Sequence, residues 1–104
     1  MNDDLTLAMF HWVGDSEELR QNYDNVLDEV VAVSPARPMV HLAAPVADGF
    51  RVWDLWNNED IARRMVESPA FRQKLEEFGL GDPQIHFVPV HRMGWPLSAS
   101  PMYR

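Results

Sequence analysis

His41 and Asp54 are the two side chains in this sequence whose types and spacing best suit acid/base chemistry. An imidazole titrates near neutrality and can take or give a proton, and a carboxylate hydrogen-bonded to it fixes which ring nitrogen carries the hydrogen. The residues between them form two β-rich runs around Ala47-Asp48-Gly49. Asp-Gly in such a setting signals a hairpin, with Pro45 expected to end the first strand and lengthen the loop. Pairing Ala44 against Arg51 brings His41 and Asp54 to one level of the sheet, whereas a slip of one residue sends them to opposite faces.

Other residues are candidates around that pair. His91, at the end of the run Ile85-His86-Phe87-Val88-Pro89-Val90-His91, can complete a catalytic trio with it. The trio also has the residue types of a two-histidine, one-carboxylate metal site, but no metal is expected. Arg51 is the basic side chain of the strand motif and suits pairing with Asp54, holding an anionic substrate or snorkelling out at the sheet edge. Trp56 and Tyr23 offer flat surfaces to an aromatic ligand, while Phe50, Trp53 and Phe87 read as core or interface. His11 and His86 read as packing and surface positions. The sequence has no Ser-His-Asp signature, glycine-rich phosphate loop or dinucleotide fingerprint, so no cofactor is expected.

The elements that must position these residues repeat one order, strand then helix then strand. Leu5 to Val13 is apolar and ends at Gly14; Asp15, with Glu18 following, caps a helix whose Leu19, Tyr23, Val26, Leu27 and Val30 share a face to about Val33. Ser34-Pro35 and Arg37-Pro38 break it. Strands follow at Met39 to Ala44 and Phe50 to Trp56. Asn57 or Asn58 then caps a second helix with Ile61, Met65, Phe71, Leu75 and Phe78 on one face. Pro69 cannot sit inside it, which predicts two pieces, the second capped by Ser68. The βαββαβ order predicts a ferredoxin-like α+β fold, an antiparallel sheet of four strands with both helices on one face. Residues 1–93 form this single domain and 94–104 a tail without periodicity. The first and third strands are apolar on both parities, so the uncovered face is expected to pair with a second copy as a homodimer.

Composition narrows the partners. A formal charge of −7 repels phosphate backbones and anionic membranes, which argues against nucleic acid and membrane partners. There are no cysteines, which excludes disulfides and thiol chemistry and fits a reducing compartment. The acidic start and the absence of an apolar run of about 20 residues give the expectation of a soluble, cytoplasmic protein.

The stretch from His41 to Trp56, followed by a helix and then Phe87-Val88-Pro89-Val90-His91, resembles the small dimeric α/β-barrel proteins related to antibiotic-biosynthesis monooxygenases. The matching positions are His41, Gly49, Arg51, Asp54, Trp56 and His91, with Phe50 where tryptophan is more usual. The resemblance implies a dimeric barrel and a pocket between sheet and helices. It also implies one of several chemistries: cofactor-independent oxygenation, polyketide cyclisation or haem degradation. Haem degradation fits least, because no histidine lies between Asn58 and Phe78. Two functions remain. One is a cofactor-independent enzyme acting on an aromatic or polyketide-like substrate through His41 and Asp54; the other is a non-catalytic dimeric module that binds a ligand or partner.

Overall fold

The structure is a computed structural model that describes residues 4–94. The tail from residue 95 onward lies outside the described residues. The chain runs β1 (Thr6–Val13), α1 (Ser16–Val33), β2 (Val40–Val46), β3 (Gly49–Trp56), α2 (Glu59–Val66), α3 (Pro69–Glu77) and β4 (Gln84–Pro89). The four strands form one antiparallel sheet in the order β2-β3-β1-β4. This is the ferredoxin-like α+β arrangement expected from the sequence. Among the described residues no helix is long and apolar enough to cross a membrane.

Local sequence accounts for the boundaries. Asp15 caps α1 by accepting the Glu18 N–H at 2.8 Å, and Ser34 ends that helix just before Pro35. Asn58 caps α2 in the same way, accepting the Ile61 N–H at 3.0 Å. The second helical region is broken at Pro69, which occupies the first turn of α3, where its missing N–H costs nothing. Gly79 follows α3 with φ +83°, a left-handed conformation that a side chain would strain.

The ends of two strands lie two residues from the sequence reading. Pro45 does not end β2: it pairs with Phe50, and the hairpin closes through the two residues Ala47 and Asp48, with Val46 opposite Gly49. Because β2 is the edge strand, a missing N–H is tolerated there. Gly49 is required for another reason, since a Cβ at that position would lie 1.8 Å from the Trp12 carbonyl oxygen of β1. At the other end, β4 stops at Pro89 rather than reaching His91. Proline brings no donor to the ladder, and Val90 makes the last connection by giving its N–H to the Leu5 carbonyl at 2.8 Å.

The alternation of β1 divides the molecule. Ala8, Phe10 and Trp12 point to the helix side and are buried, where they join Phe50, Val52, Leu19, Val26, Met65, Phe71 and Leu75 in one core. Leu7, Met9 and His11 point the other way, beside Arg51, Trp53 and Leu55 of β3. Among the described residues no element covers this second face. Leu42 and Val88 on it are 59% and 45% exposed.

Ser68 accepts the Phe71 N–H at 3.5 Å, the outer limit of a hydrogen bond. Ser68→Ala is therefore expected to cost about 0.5–1 kcal/mol, at the low end for such caps. Denaturant unfolding of the two proteins checks this, and an unchanged midpoint would show that the serine does not hold the helix start.

Candidate active site

The β2-β3 register places His41 directly across from Asp54 on the helix side of the sheet. Ala44 stands opposite Arg51, which is the pairing that sets this alignment. His41 Nδ1 lies 2.5 Å from Asp54 Oδ1. On the other side of the ring, His41 Nε2 is hydrogen-bonded to the Tyr23 hydroxyl. Tyr23 comes from the apolar stripe of α1, so a helix and two strands each supply one member of a continuous Tyr23–His41–Asp54 chain.

The surroundings of the three differ, and the differences govern their chemistry. The Asp54 side chain is 8% exposed and that of His41 is 35% exposed. A carboxylate so far from water needs a partner for its charge, which the imidazole N–H supplies. The Tyr23 ring is stacked near His41, with centroids 6.0 Å apart and planes 9° apart, and tilted against Phe50 at 4.9 Å. Burial, followed by the negative charges of Asp54 and Asp24, pushes the Tyr23 hydroxyl up to about 12. The phenol therefore keeps its proton through neutrality and stands as a hydrogen-bond donor.

All three residues line a cavity of ≈ 360 Å³ between the sheet and the helices. Phe10, Trp12, Val26, Met65 and Phe71 make much of the rest of its wall apolar. That volume lies in the range of small-molecule pockets, and a few converging polar groups in an apolar wall are their usual composition. The hydrogen-bonded chain thus presents titratable groups at one point of a largely apolar cavity wall.

The other residues singled out by sequence stand elsewhere. Arg51 projects from the opposite face of the sheet, giving its Nε–H to His11 Nδ1 at 3.3 Å and lying 5.9 Å above the Trp53 ring. The expectation that it pairs with Asp54 is corrected by strand alternation, since the residues are three apart. Trp56 shares the face of Asp54 but is closed into the core at 0% exposure and lies outside the cavity wall. Its indole N–H is the buried polar side-chain atom without a partner among the described residues. His91 lies past the end of β4, exposed, and is not part of the wall. The trio it was expected to complete is not assembled, and among the described residues no three His, Asp or Glu side chains gather as metal ligands.

Sequence reasoning missed part of the wall. Ser34, Ala36, Arg37 and Pro38 all border the cavity, although the segment reads only as a helix breaker. Its paired prolines, which stiffen a connection, were the available signal.

No family model and no curated protein matches the sequence. Solved structures do match the fold. The cofactor-independent oxygenase SnoaB of Streptomyces nogalater is similar with a TM-score of 0.61 at 17% identity, over 91% of this chain and 99% of that one. A Caulobacter crescentus CB15 protein, provisionally described as an antibiotic biosynthesis monooxygenase, gives 0.57 at 14% identity, over 88% and 94% of the two chains. A dimeric ferredoxin-like protein of unknown function from Thermobifida fusca gives 0.55 at 14% identity, over 86% and 95%. The chain thus shares the ferredoxin-like fold of these structures.

The Tyr23 environment sets a pH dependence. Unfolded, the phenol ionises near its ordinary 10.0, and folded only near 12, so between these values the unfolded state binds fewer protons. The contribution of Tyr23 to stability is full below pH 10 and is lost as pH rises towards 12. Unfolding of the parent protein and Tyr23→Phe across that window is expected to show the parent losing stability relative to the variant. Parallel curves would mean that the hydroxyl is not buried as described.

Proposed function

We propose that this protein is a cofactor-independent, monooxygenase-like enzyme acting on an aromatic or polyketide-like substrate, with His41 and Asp54 as its acid/base pair. The observation that carries the reading is the buried carboxylate–imidazole pair in the wall of an otherwise apolar cavity. The fold shared with a cofactor-independent oxygenase supports the same reading.

The chemistry needs a substrate that can itself give electrons to oxygen. In a polycyclic phenol with an acidic ring CH₂ group, removal of a proton leaves a carbanion spread over the rings. Dioxygen combines with that carbon; one oxygen atom remains as a ketone, and the other leaves as water with the two hydrogens of the CH₂ group. The protein's contribution is to take up the proton, with Asp54 balancing the imidazolium, while apolar walls exclude water and hold the rings flat.

Anthrone, a tricyclic ketone with such a CH₂ group, is a direct probe. Oxygen uptake by the purified protein is expected to fall about 10²–10⁴-fold in His41→Ala, with Asp54→Asn changing it in the same direction. Equal rates in the parent and both variants would sink the acid/base assignment.

The working unit in this reading is a homodimer built sheet to sheet as an α/β barrel. Leu7, Met9, Leu42, Trp53 and Val88 share the face opposite the helices, with Leu42 and Val88 exposed, and apolar side chains gathered on one sheet face favour pairing with a second copy. Light scattering at micromolar concentration is expected to give twice the 12.0 kDa chain mass. A clean monomer would remove the dimer from the proposal and leave the cavity chemistry to be judged alone.

A further inference from the structure

Both nitrogens of the His41 ring are occupied. Nδ1 faces Asp54 Oδ1 at 2.5 Å, and Nε2 is bonded to the Tyr23 hydroxyl. An ionised carboxylate only accepts, so Nδ1 carries the hydrogen and gives it to Asp54. Nε2 is then a bare lone pair, and the phenol donates to it. No ring nitrogen is left for a substrate. The Tyr23 oxygen still has lone-pair capacity after donating, and Tyr23 lines the cavity.

We infer that Tyr23 is the catalytic residue that meets the substrate, and that it takes up the substrate's acidic proton while passing its own to His41. The inference rests on the acid/base reading above and reassigns its contact atom. The substrate's C–H or O–H bond breaks, and its proton bonds to Tyr23 Oη. The Tyr23 O–H bond breaks in the same event, and that proton moves to His41 Nε2. The electron pair stays on the substrate as a carbanion or phenolate. The imidazolium is balanced by Asp54, and the return of protons along the same path resets the chain. His41 and Asp54 are then positioning and proton-storing residues.

Two features of the site favour a relay over a tyrosinate base. The phenol's affinity for its proton is raised, so it stays protonated at neutrality and transfers only when a second proton arrives. Its ring packs against Phe50 and stacks near His41, so packing as well as the hydrogen bond to His41 sets the position of the oxygen. The ligand class follows from the same geometry. An apolar, ring-sized chamber with a phenol at its wall selects an aromatic molecule carrying a hydroxyl or an acidic ring C–H, over an unsubstituted hydrocarbon of equal size.

Tyr23→Phe tests this cleanly, because Phe keeps the packed ring and removes only the hydroxyl. With anthrone, the variant is expected to lose about 10²-fold in kcat with KM little changed. In fluorescence titrations the parent protein is expected to bind naphthol more tightly than naphthalene, and Tyr23→Phe to lose that preference. Should the parent not turn anthrone over, the binding comparison decides by itself. A Tyr23→Phe enzyme as fast as the parent, with His41→Ala slow, would overturn the relay and leave His41 as the direct base. Both variants at the parent rate would remove the acid/base reading as well. A parent protein with no preference for naphthol would overturn the proposed contact whatever the rates.

Discussion

The register of the β2-β3 hairpin is the constraint on which the site depends. Side chains in a strand alternate with a period of two, so a slip of one residue would carry His41 to the far face of the sheet and leave Asp54 buried without its imidazole. The register is held at the turn, where Val46 faces Gly49 across a two-residue connection. It is held again in the third dimension, because Gly49 lies so close to the Trp12 carbonyl that no side chain fits. A backbone contact between β1 and β3 thereby fixes a hydrogen bond between β2 and β3 five pairs further along the ladder.

Burial of a carboxylate is costly, and among the described residues Asp54 is the one charged side chain in the interior. In the apolar wall between Val52 and Trp56 a leucine or valine would contribute more to the core. The polar residue therefore stands out as a local departure from the apolar pattern of this layer, of the kind expected at functional or strained positions.

How much of this was legible in the chain depends on the range of the interaction involved. Caps, breaks and strand order are decided within a few residues, and Asp15, Ser68-Pro69 and the paired strand–helix–strand order announced them. Parity was legible too, which is why Ala8, Phe10 and Trp12 could be grouped. Positions governed by longer contacts were not. Whether Pro45 ended a strand depended on β2 being an edge, which only the sheet order reveals. Arg51 and Asp54 are three residues apart, a spacing that separates them in a strand although the sequence places them side by side. Tyr23 was read as a flat surface because its hydrogen bond to His41 spans 18 residues and two elements. The apolar part of the cavity wall left no trace in the periodicity, since an apolar residue facing a void and one facing another side chain look the same in sequence.

The chain of Tyr23, His41 and Asp54 also explains why the site is split between a helix and two strands. Strands give a rigid frame, so the His41–Asp54 bond is set by backbone pairing and does not depend on loop conformation. A helix packed on that frame presents its stripe at intervals of three and four residues, and between Leu19 and Val26, both buried, the stripe needs one residue at the edge of the core. A tyrosine fits there because its ring completes the packing while its oxygen reaches a polar group at the cavity margin. The aromatic body is held by Phe50, and the hydroxyl is directed by His41. Packing and polarity thus act on different atoms of one side chain, the ring against Phe50 and the hydroxyl on His41.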